Sequence, residues 1–596
     1  MKLFLLVLIC TLTTFASVWT PFKKKNSCSK GVDFCEEAKW SFEGEIVAFA
    51  DYDNDQEIEV FVVKGGKMID VVKHNSDSEE RFSNNKTLLA MQDTVVSVTP
   101  GDFMYLGQTD LLVQTKSVDG LIKVHLCPNV VSTPITCKEV ISSQTQVAVY
   151  DVNGDNYLDL IGTDVESKGT VVWLGVDSLS KNFEKTTKYN FPTYDSKFPI
   201  TIADVNGDCR GDIMFVNSQN VEIYLASFEN EEIKYVHNSE KDVKLENMNS
   251  IFVTDFNRDG NLDLAWTTTK GELKIVPNTQ RKICKSFLKS DSSCRSQSQL
   301  CEKDDNFKFN TSEVFTFTLN SSLSFKEVDG LTQVAVGDYN NDAYPDFVVI
   351  VQDNTAQAKD VFGLLLMNEA GKKISIDGSA ENVFRSTSLG ATNAVFYDCE
   401  NQGILNVLFN VESSENSMTT QKVKIISNNE VPDALFVKIA ALNGVILKHD
   451  TKAYGTSYFG GVFKLALADT SGDNVGISSM QLTQTTHKII QMPFAHIGLG
   501  RISNYIQVVE FGTNMKYTVN HNQWQSIIPN SQLVVIPDPP QKAANWKIEL
   551  YFLDLTLMFW IAIAMTIALV ILGIIMLALF IRDKRKEANS HFLNMK

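Results

Sequence analysis

A chain of 596 residues is too long for one hydrophobic core and should divide into several domains. Its formal charge of −17 argues against a nucleic-acid binder, which would show a basic patch or stripe. Acidic composition alone says little more; the placement of the acids is what carries information. Residues 1–16 read as a signal peptide. Met1-Lys2 leads into the apolar run 3–10, followed by small and hydroxyl residues to Ala16. That run is too short to span a bilayer, so the mature chain is expected to begin near Ser17.

From residue 17 to 432 the sequence repeats itself. Five acid-rich loops, each set between two apolar runs, place oxygen side chains at positions 1, 3, 5 and 9 of a nine-residue stretch. They are Asp51, Asp53, Asp55 and Glu59; Asp151, Asn153, Asp155 and Asp159; Asp204, Asn206, Asp208 and Asp212; Asp255, Asn257, Asp259 and Asp263; and Asp338, Asn340, Asp342 and Asp346. Two worn copies fill the gaps. One keeps Asp102 and Asp110 but carries Met104 and Leu106 inside; the other runs from Asp398 to Asn406 with weaker ligands. About fifty residues per unit accommodate four short antiparallel strands, the content of one propeller blade. The flanks are β-branched and aromatic without helical period. Seven copies predict a seven-bladed β-propeller over 17–432, within an all-β ectodomain. The long fifth step, with three cysteines and two sequons, predicts a glycosylated, disulfide-pinned insertion on the rim at about 280–325.

The spacing of these loops suits a hard cation. Ca²⁺ takes six to eight oxygens, usually including a backbone carbonyl and water, and position 7 can supply the carbonyl. Three carboxylates gathered without a cation repel one another, by about 1 kcal/mol per pair at ~4 Å even in water. Up to five structural Ca²⁺ sites are therefore expected. An EF-hand is excluded, because position 12 holds Val62, Gly162, Phe215, Trp266 and Val349 in place of a bidentate glutamate. Turn-forming Asp, Asn and Gly would explain one such loop, but not five at identical internal spacing. Arg210-Gly211-Asp212 looks like an adhesive tripeptide, yet Asp212 is position 9 of a loop and should face metal.

From 433 to 540 the repeat stops and alternating apolar runs predict a small membrane-proximal β-sandwich-like domain. A juxtamembrane linker follows at 541–554. Residues 555–581 are an uninterrupted, uncharged, mostly apolar stretch, long enough for one tilted transmembrane helix. The tail 582–596 opens with four bases in five positions, which places it in the cytoplasm and the N-terminal bulk outside: a type I topology. In that oxidising compartment most cysteines should pair. Cys28–Cys35 and Cys127–Cys137 are expected bonds, with one more within Cys284, Cys294 and Cys301. Cys209 and Cys399 stand alone, and the odd total of nine after loss of Cys10 leaves at least one free or bonded elsewhere. Sequons at Asn85, Asn310 and Asn320 are expected to carry N-glycans.

The five loops keep the oxygen positions of the D-x-[DN]-x-[DN]-G-x-x-D pattern, with Glu59 ending the first and Gln56 and Ala343 standing where glycine would ease the turn, and resemble the FG-GAP repeat of integrin α subunits over roughly residues 40–430. No D-x-S-x-S run of the I-type metal site is present. The stretch His496-Ile-Gly-Leu-Gly-Arg501, the run Trp524 to Leu533, Pro539-Pro540, Trp546, the span and the basic tail together resemble the T-cell immunomodulatory protein (linkin) family over nearly the whole chain. The H-x-G-L-G element is also similar to the domain that follows FG-GAP propellers in ASPIC/UnbV-type proteins. The resemblance implies a plasma-membrane glycoprotein whose propeller is an adhesion, ligand-binding or immunomodulatory platform for an extracellular protein partner. The worn second and seventh loops depart from the pattern, and no metal is expected there.

A luminal scaffold or trafficking factor would share this topology. An enzyme, as in hydrolases that carry FG-GAP propellers, is the remotest reading. No G-x-S-x-G, H-E-x-x-H or C-x-x-C occurs, and no catalytic residue is assigned. His496, before a glycine turn, reads as a structural hydrogen-bonding residue.

Overall fold

The computed structural model describes residues 33–593 apart from 76–80, 83, 133, 177–182, 286–292, 356–359, 416–417, 430–432, 447–453, 503–504 and 553–554. The expected signal peptide and Cys28 lie outside the described residues. Two compact units are present, residues 1–549 and 550–596.

Each repeat builds one antiparallel sheet, four-stranded in four blades and five-stranded in three, and seven such sheets follow one another. Blade 3 is typical: Ala148–Tyr150, Asp159–Thr163, Thr170–Gly175 and Phe183–Thr186 pair in sequence order. The second strand of a blade is sandwiched by neighbouring blades on both faces, so it reads as a continuous apolar run rather than an alternation. In Asp263–Thr268 every residue is buried. Packing between blades makes the core; Val216 and Ile223 of blade 4 meet Leu264 and Trp266 of blade 5 in one cluster.

The ring closes by strand pairing. Blade 7 takes three strands from the end of the repeats, Ala391–Tyr397, Asn406–Glu415 and Met418–Asn428, and its fourth, Phe34–Glu36, from the N-terminus. Phe34 pairs in register with Asn428, and its buried ring packs on Tyr339 and Phe384. Closure of this kind leaves no long unpaired edge.

The segment 280–325 is not all insertion, and it is not confined to the rim. Phe315–Thr318 is the fourth strand of blade 5, and Leu323–Phe325 pairs into blade 6. The part before it folds over the Asp204 loop: the Asp304 amide donates to the Asn206 carbonyl at 2.8 Å, and the Arg295 guanidinium donates to Gln280 Oε1 at 2.9 Å above Gly207. Cys127–Cys137 and Cys284–Cys294 are disulfides, and Cys35 is disulfide-bonded. Cys209 does not stand alone. It bonds Cys301 across 92 residues, because the folded-over insertion brings Cys301 to the loop. Cys399 is the free, buried thiol.

Residues beyond Leu435 form two sheets. One orders Ala495–Gly500, Leu435–Ala441, Ser531–Ile536 and Lys547–Phe552; the other orders Asn474–Gln481, Gly461–Ala468, Ile506–Gly512 and His521–Ile527. This sandwich is seated on the propeller within the same compact unit. In the second unit a helix runs from Leu555 to Leu593, continuing past 581 through the basic residues. Its part Ala562–Glu587 is long and apolar enough to cross a membrane.

Candidate metal loops and the domain seated on them

Every loop occupies the same place in its blade: position 1 follows the first strand and position 9 begins the second. Asp151 follows Tyr150 and Asp159 opens the next strand; Asp255 follows Thr254 and Asp263 opens the next. The backbone is left-handed at positions 4 and 6 of all seven loops, worn copies included. Examples are Gly154 and Asn156 at φ 75° and 73°, Asn341 and Ala343 at 58° and 76°, and Tyr105 and Gly107 at 52° and 72°. Such a φ suits Gly and Asn and strains Ala343.

That double turn aims backbone amides at the acids. In the Asp151 loop, Oδ1 of Asp151 accepts from the amides of Gly154 and Asp155, and Oδ2 from Asn156 at 2.8 Å. Asp159 ties the loop to the blade, accepting from Val152 and, through its other oxygen, from Gly175 of the third strand. The same two bonds recur at Asp212, Asp263 and Asp346. Positions 3 and 5 complete the cage; Asn153 donates to Asp155 at 2.8 Å.

The electrostatics of the cage are those of buried, crowded carboxyls. Burial, followed by repulsion from Asp155, drives the Asp151 carboxyl far above its ordinary value, and Asp159 behaves likewise through burial and Asp151. Burial and Asp259 raise Asp255 to about 8. Carboxylates held this close in low dielectric keep their protons unless a cation replaces them. The donors are all oxygen, the set a hard divalent ion takes. Asn257 Oδ1 in the Asp255 loop is buried without a hydrogen-bond partner. The Asp151, Asp204, Asp255 and Asp338 loops thus fit Ca²⁺ through positions 1, 3, 5 and 9.

The Asp51 loop differs. Oxygens of Asp51, Asp53 and Glu59 converge within 4.8 Å of one another, but Lys73 of the third strand reaches into them. Its ammonium bonds Asp55 and lies 3.6 Å from Asp53 and 3.5 Å from Glu59. An internal cation already offsets part of the charge there. In the worn loops the backbone persists while the cage does not: the Leu106 and Gly107 amides still donate to Asp102, and Gln402 and Gly403 to Asp398.

Sequence reasoning missed what covers the loops. Asn514 of the sandwich donates to the Asp151 carbonyl at 2.7 Å, Lys464 reaches Asp204 at 2.9 Å, and the Ser478 amide donates to Asp255 at 3.0 Å. Gly498 lies so close to Asp338 that a β-carbon there would collide with Oδ2. The Arg210-Gly211-Asp212 tripeptide is sealed within this interface. Arg210 donates to the carbonyls of Met515 and Tyr517 while Asp212 is fully buried. His496 is buried too, its Nε2 2.8 Å from Asn341 Oδ1, and burial followed by the charge of Lys438 depresses it to about 3.

Between the strands Asn474–Gln481 and Ala495–Gly500 the sandwich also sends a finger, residues 482–492, into the propeller's central channel. It bonds all seven blades in turn. Lys488 pairs with Glu45 at 2.9 Å, Ser97 donates to Thr485, and Val149 donates to the Thr485 hydroxyl. Gln484 donates to both Thr201 and the Ile251 carbonyl; Gln333 donates to the His487 carbonyl and Asn393 to that of Lys488.

Two families match in the order this geometry displays: the FG-GAP-like repeat over residues 151–215 and the family described as ITFG1, C2 domain over 453–551. The T-cell immunomodulatory protein of Homo sapiens is 25% identical across 92% of both chains. That of Macaca fascicularis is 30% identical over 279 residues, covering 43% of this chain and 88% of that protein. The chain belongs to the T-cell immunomodulatory protein family. Within the family, the Plasmodium falciparum homolog is 28% identical over 74% of this chain and 67% of its own length.

Proposed function

We propose that this chain is a type I membrane glycoprotein of the plasma membrane whose calcium-stabilised propeller is an adhesion or protein-ligand-binding platform. The observation that supports it most directly is the set of buried, all-oxygen loops. Four of them gather acids whose mutual repulsion a hard cation would relieve, beyond the pairing of Lys464 with Asp204 and Lys282 with Asp259, in a chain that also carries an apolar helix with a basic flank. The protein supplies the ligands Asp151, Asn153, Asp155 and Asp159, and their counterparts in the other loops; bound Ca²⁺ would supply the neutralising charge that keeps the turns rigid. Rigid scaffolds that present loops are common ligand platforms. Asn320 is exposed and Asn310 half-buried at the edge of blade 5, positions open to glycosylation, as is expected also of Asn85.

The test is cellular. A chain tagged at its C-terminus should be labelled by membrane-impermeant biotin, shift on glycosidase treatment, and expose its tag to antibody only after permeabilisation. Biotin labelling only after permeabilisation would move the protein to a luminal scaffold or trafficking role. Loss of captured ectodomain partners in chelator, regained with calcium, is the second expected result.

A further inference from the structure

The two oxygens of each loop's first aspartate have different surroundings. In the Asp204, Asp255 and Asp338 loops, Oδ1 accepts from amides at position 4 or 5 inside the turn. Oδ2 accepts from the amide at position 6 and also faces the sandwich, meeting Lys464, the Ser478 amide and Gly498 respectively. Position 4 is a second contact point. The Gly154 carbonyl accepts from Lys516, Arg258 donates to the Leu499 carbonyl, and the Asn341 carbonyl accepts from Gly500, each at 2.9 Å. Even the worn loops are engaged, through Asn443 on Asp102 at 3.0 Å and Lys438 on Asn401 at 2.6 Å. Among the described residues the Asp51 loop alone makes no such bond, and it is the loop that Lys73 neutralises from within.

We infer that metal occupancy of the loops and seating of the sandwich, finger included, form one linked equilibrium. This rests on the calcium reading above. The sandwich recognises a loop conformation, with positions 4 and 6 left-handed and the first aspartate turned outward. That conformation is what repulsion among unneutralised carboxylates opposes. Metal held by the inner oxygens stabilises the surface on which the sandwich sits, and a seated sandwich in turn holds the cage in its binding geometry. The finger is the long-range reporter, since it bonds every blade yet touches no metal ligand. The interaction surface of the loop face is therefore taken by the chain itself, and an external partner is left the opposite face and the blade edges.

Detergent-solubilised full-length protein is treated with trypsin in calcium and in EGTA, following cleavage after Lys488, while terbium luminescence reports metal binding separately. Lys488 should be protected in calcium and cut in EGTA. Asp155→Asn, in a seated loop, should expose Lys488 in calcium; Asp53→Asn, in the unseated loop, should not. Gln484→Ala, which loosens the finger in the channel, should weaken terbium binding by at least about five-fold although no ligand is altered. Absence of terbium and calcium uptake would remove the calcium reading itself. Normal uptake with equal Lys488 cleavage in calcium and EGTA, or release by Asp53→Asn as complete as by Asp155→Asn, overturns the linkage and leaves calcium binding intact.

Discussion

Replacing Asp155 by Ala takes the central carboxylate from a cage whose acids pair with no lysine among the described residues, unlike the Asp204 and Asp255 cages, where Lys464 and Lys282 pair with Asp204 and Asp259. If the folded loops bind calcium and the unfolded chain does not, each contributes RT ln(1 + [L]/Kd), about 2.7 kcal/mol at one hundred times Kd. The described part of the unit ending at residue 549 begins at residue 33, about 500 residues in all. At about 2.1 cal/mol/K per residue its unfolding entropy is roughly 1 kcal/mol/K, so one fully loaded loop raises the melting temperature by about 2 to 3 °C. Four complete cages give about 10 °C between saturating calcium and chelator. Asp155→Ala should remove at least one quarter of that interval, more where the sites are linked, and leave the chelated melting temperature within about 1 °C of wild type. Leu106→Ala, in a worn loop, should leave the interval unchanged. The assay is differential scanning fluorimetry of the detergent-solubilised full chain across a calcium titration. An interval of zero, or one that Asp155→Ala does not shorten, refutes the reasoning about why these acids are spaced as they are.

Three further outcomes follow from other parts of the molecule. Phe34→Ala empties the ring contact by which the N-terminal strand closes blade 7 on Tyr339 and Phe384, and should cost about 3–5 kcal/mol in urea unfolding; a loss under 1 kcal/mol would mean the ring closes without that strand. Ala343 is held at φ 76° at position 6, where four of the other six loops have Gly or Asn, so Ala343→Gly should stabilise by about 1 kcal/mol, the left-handed cost less the extra freedom of glycine when unfolded. His487 in the finger is depressed by burial, against weaker raising effects from the Ser196 carbonyl and Asp329. A histidine whose folded value is lowered contributes stability above its unfolded value, about 6.5, and loses it as pH falls below that. Hydrogen exchange of residues 482–492, corrected for intrinsic rate, should be faster at pH 5 than at pH 7.5, and equal protection at both would contradict it.

What could be read in advance was whatever is local. Position 1 to position 9 is one turn of chain, and its acids, its flanking β-branched runs and its recurrence identify a blade without knowledge of anything distant. Worn copies were legible for the same reason: Asp102 and Asp398 keep the turn's hydrogen bonds after the ligands are gone, because amides at positions 5 and 6 need an acceptor whether or not metal is present. Partners far apart in sequence were not legible. Nothing near Cys209 points to Cys301, since the pairing depends on an insertion folding back over a loop, and nothing about Phe34-Cys35-Glu36 marks it as the last strand of a blade that ends at Asn428.

The seated sandwich was hidden for a further reason. The polar residues 481–488, Gln-Leu-Thr-Gln-Thr-Thr-His-Lys, have the composition of an exposed connection, which is how such a run is ordinarily read. They are polar because a propeller channel is lined by the first strands of seven blades, whose amides and carbonyls face a narrow axis that no apolar segment could satisfy. Gln484 meets two of those blades with one amide group, and Thr485 two more with a carbonyl and a hydroxyl. A segment chosen to be soluble and a segment chosen to fill a polar channel carry the same residues. Only the second must present its donors and acceptors in sevenfold order, and that order belongs to the ring, not to the finger. A finger cut from this family and placed after an open propeller would therefore be expected to remain in solvent, and the seating depends on the loop contacts that deliver it.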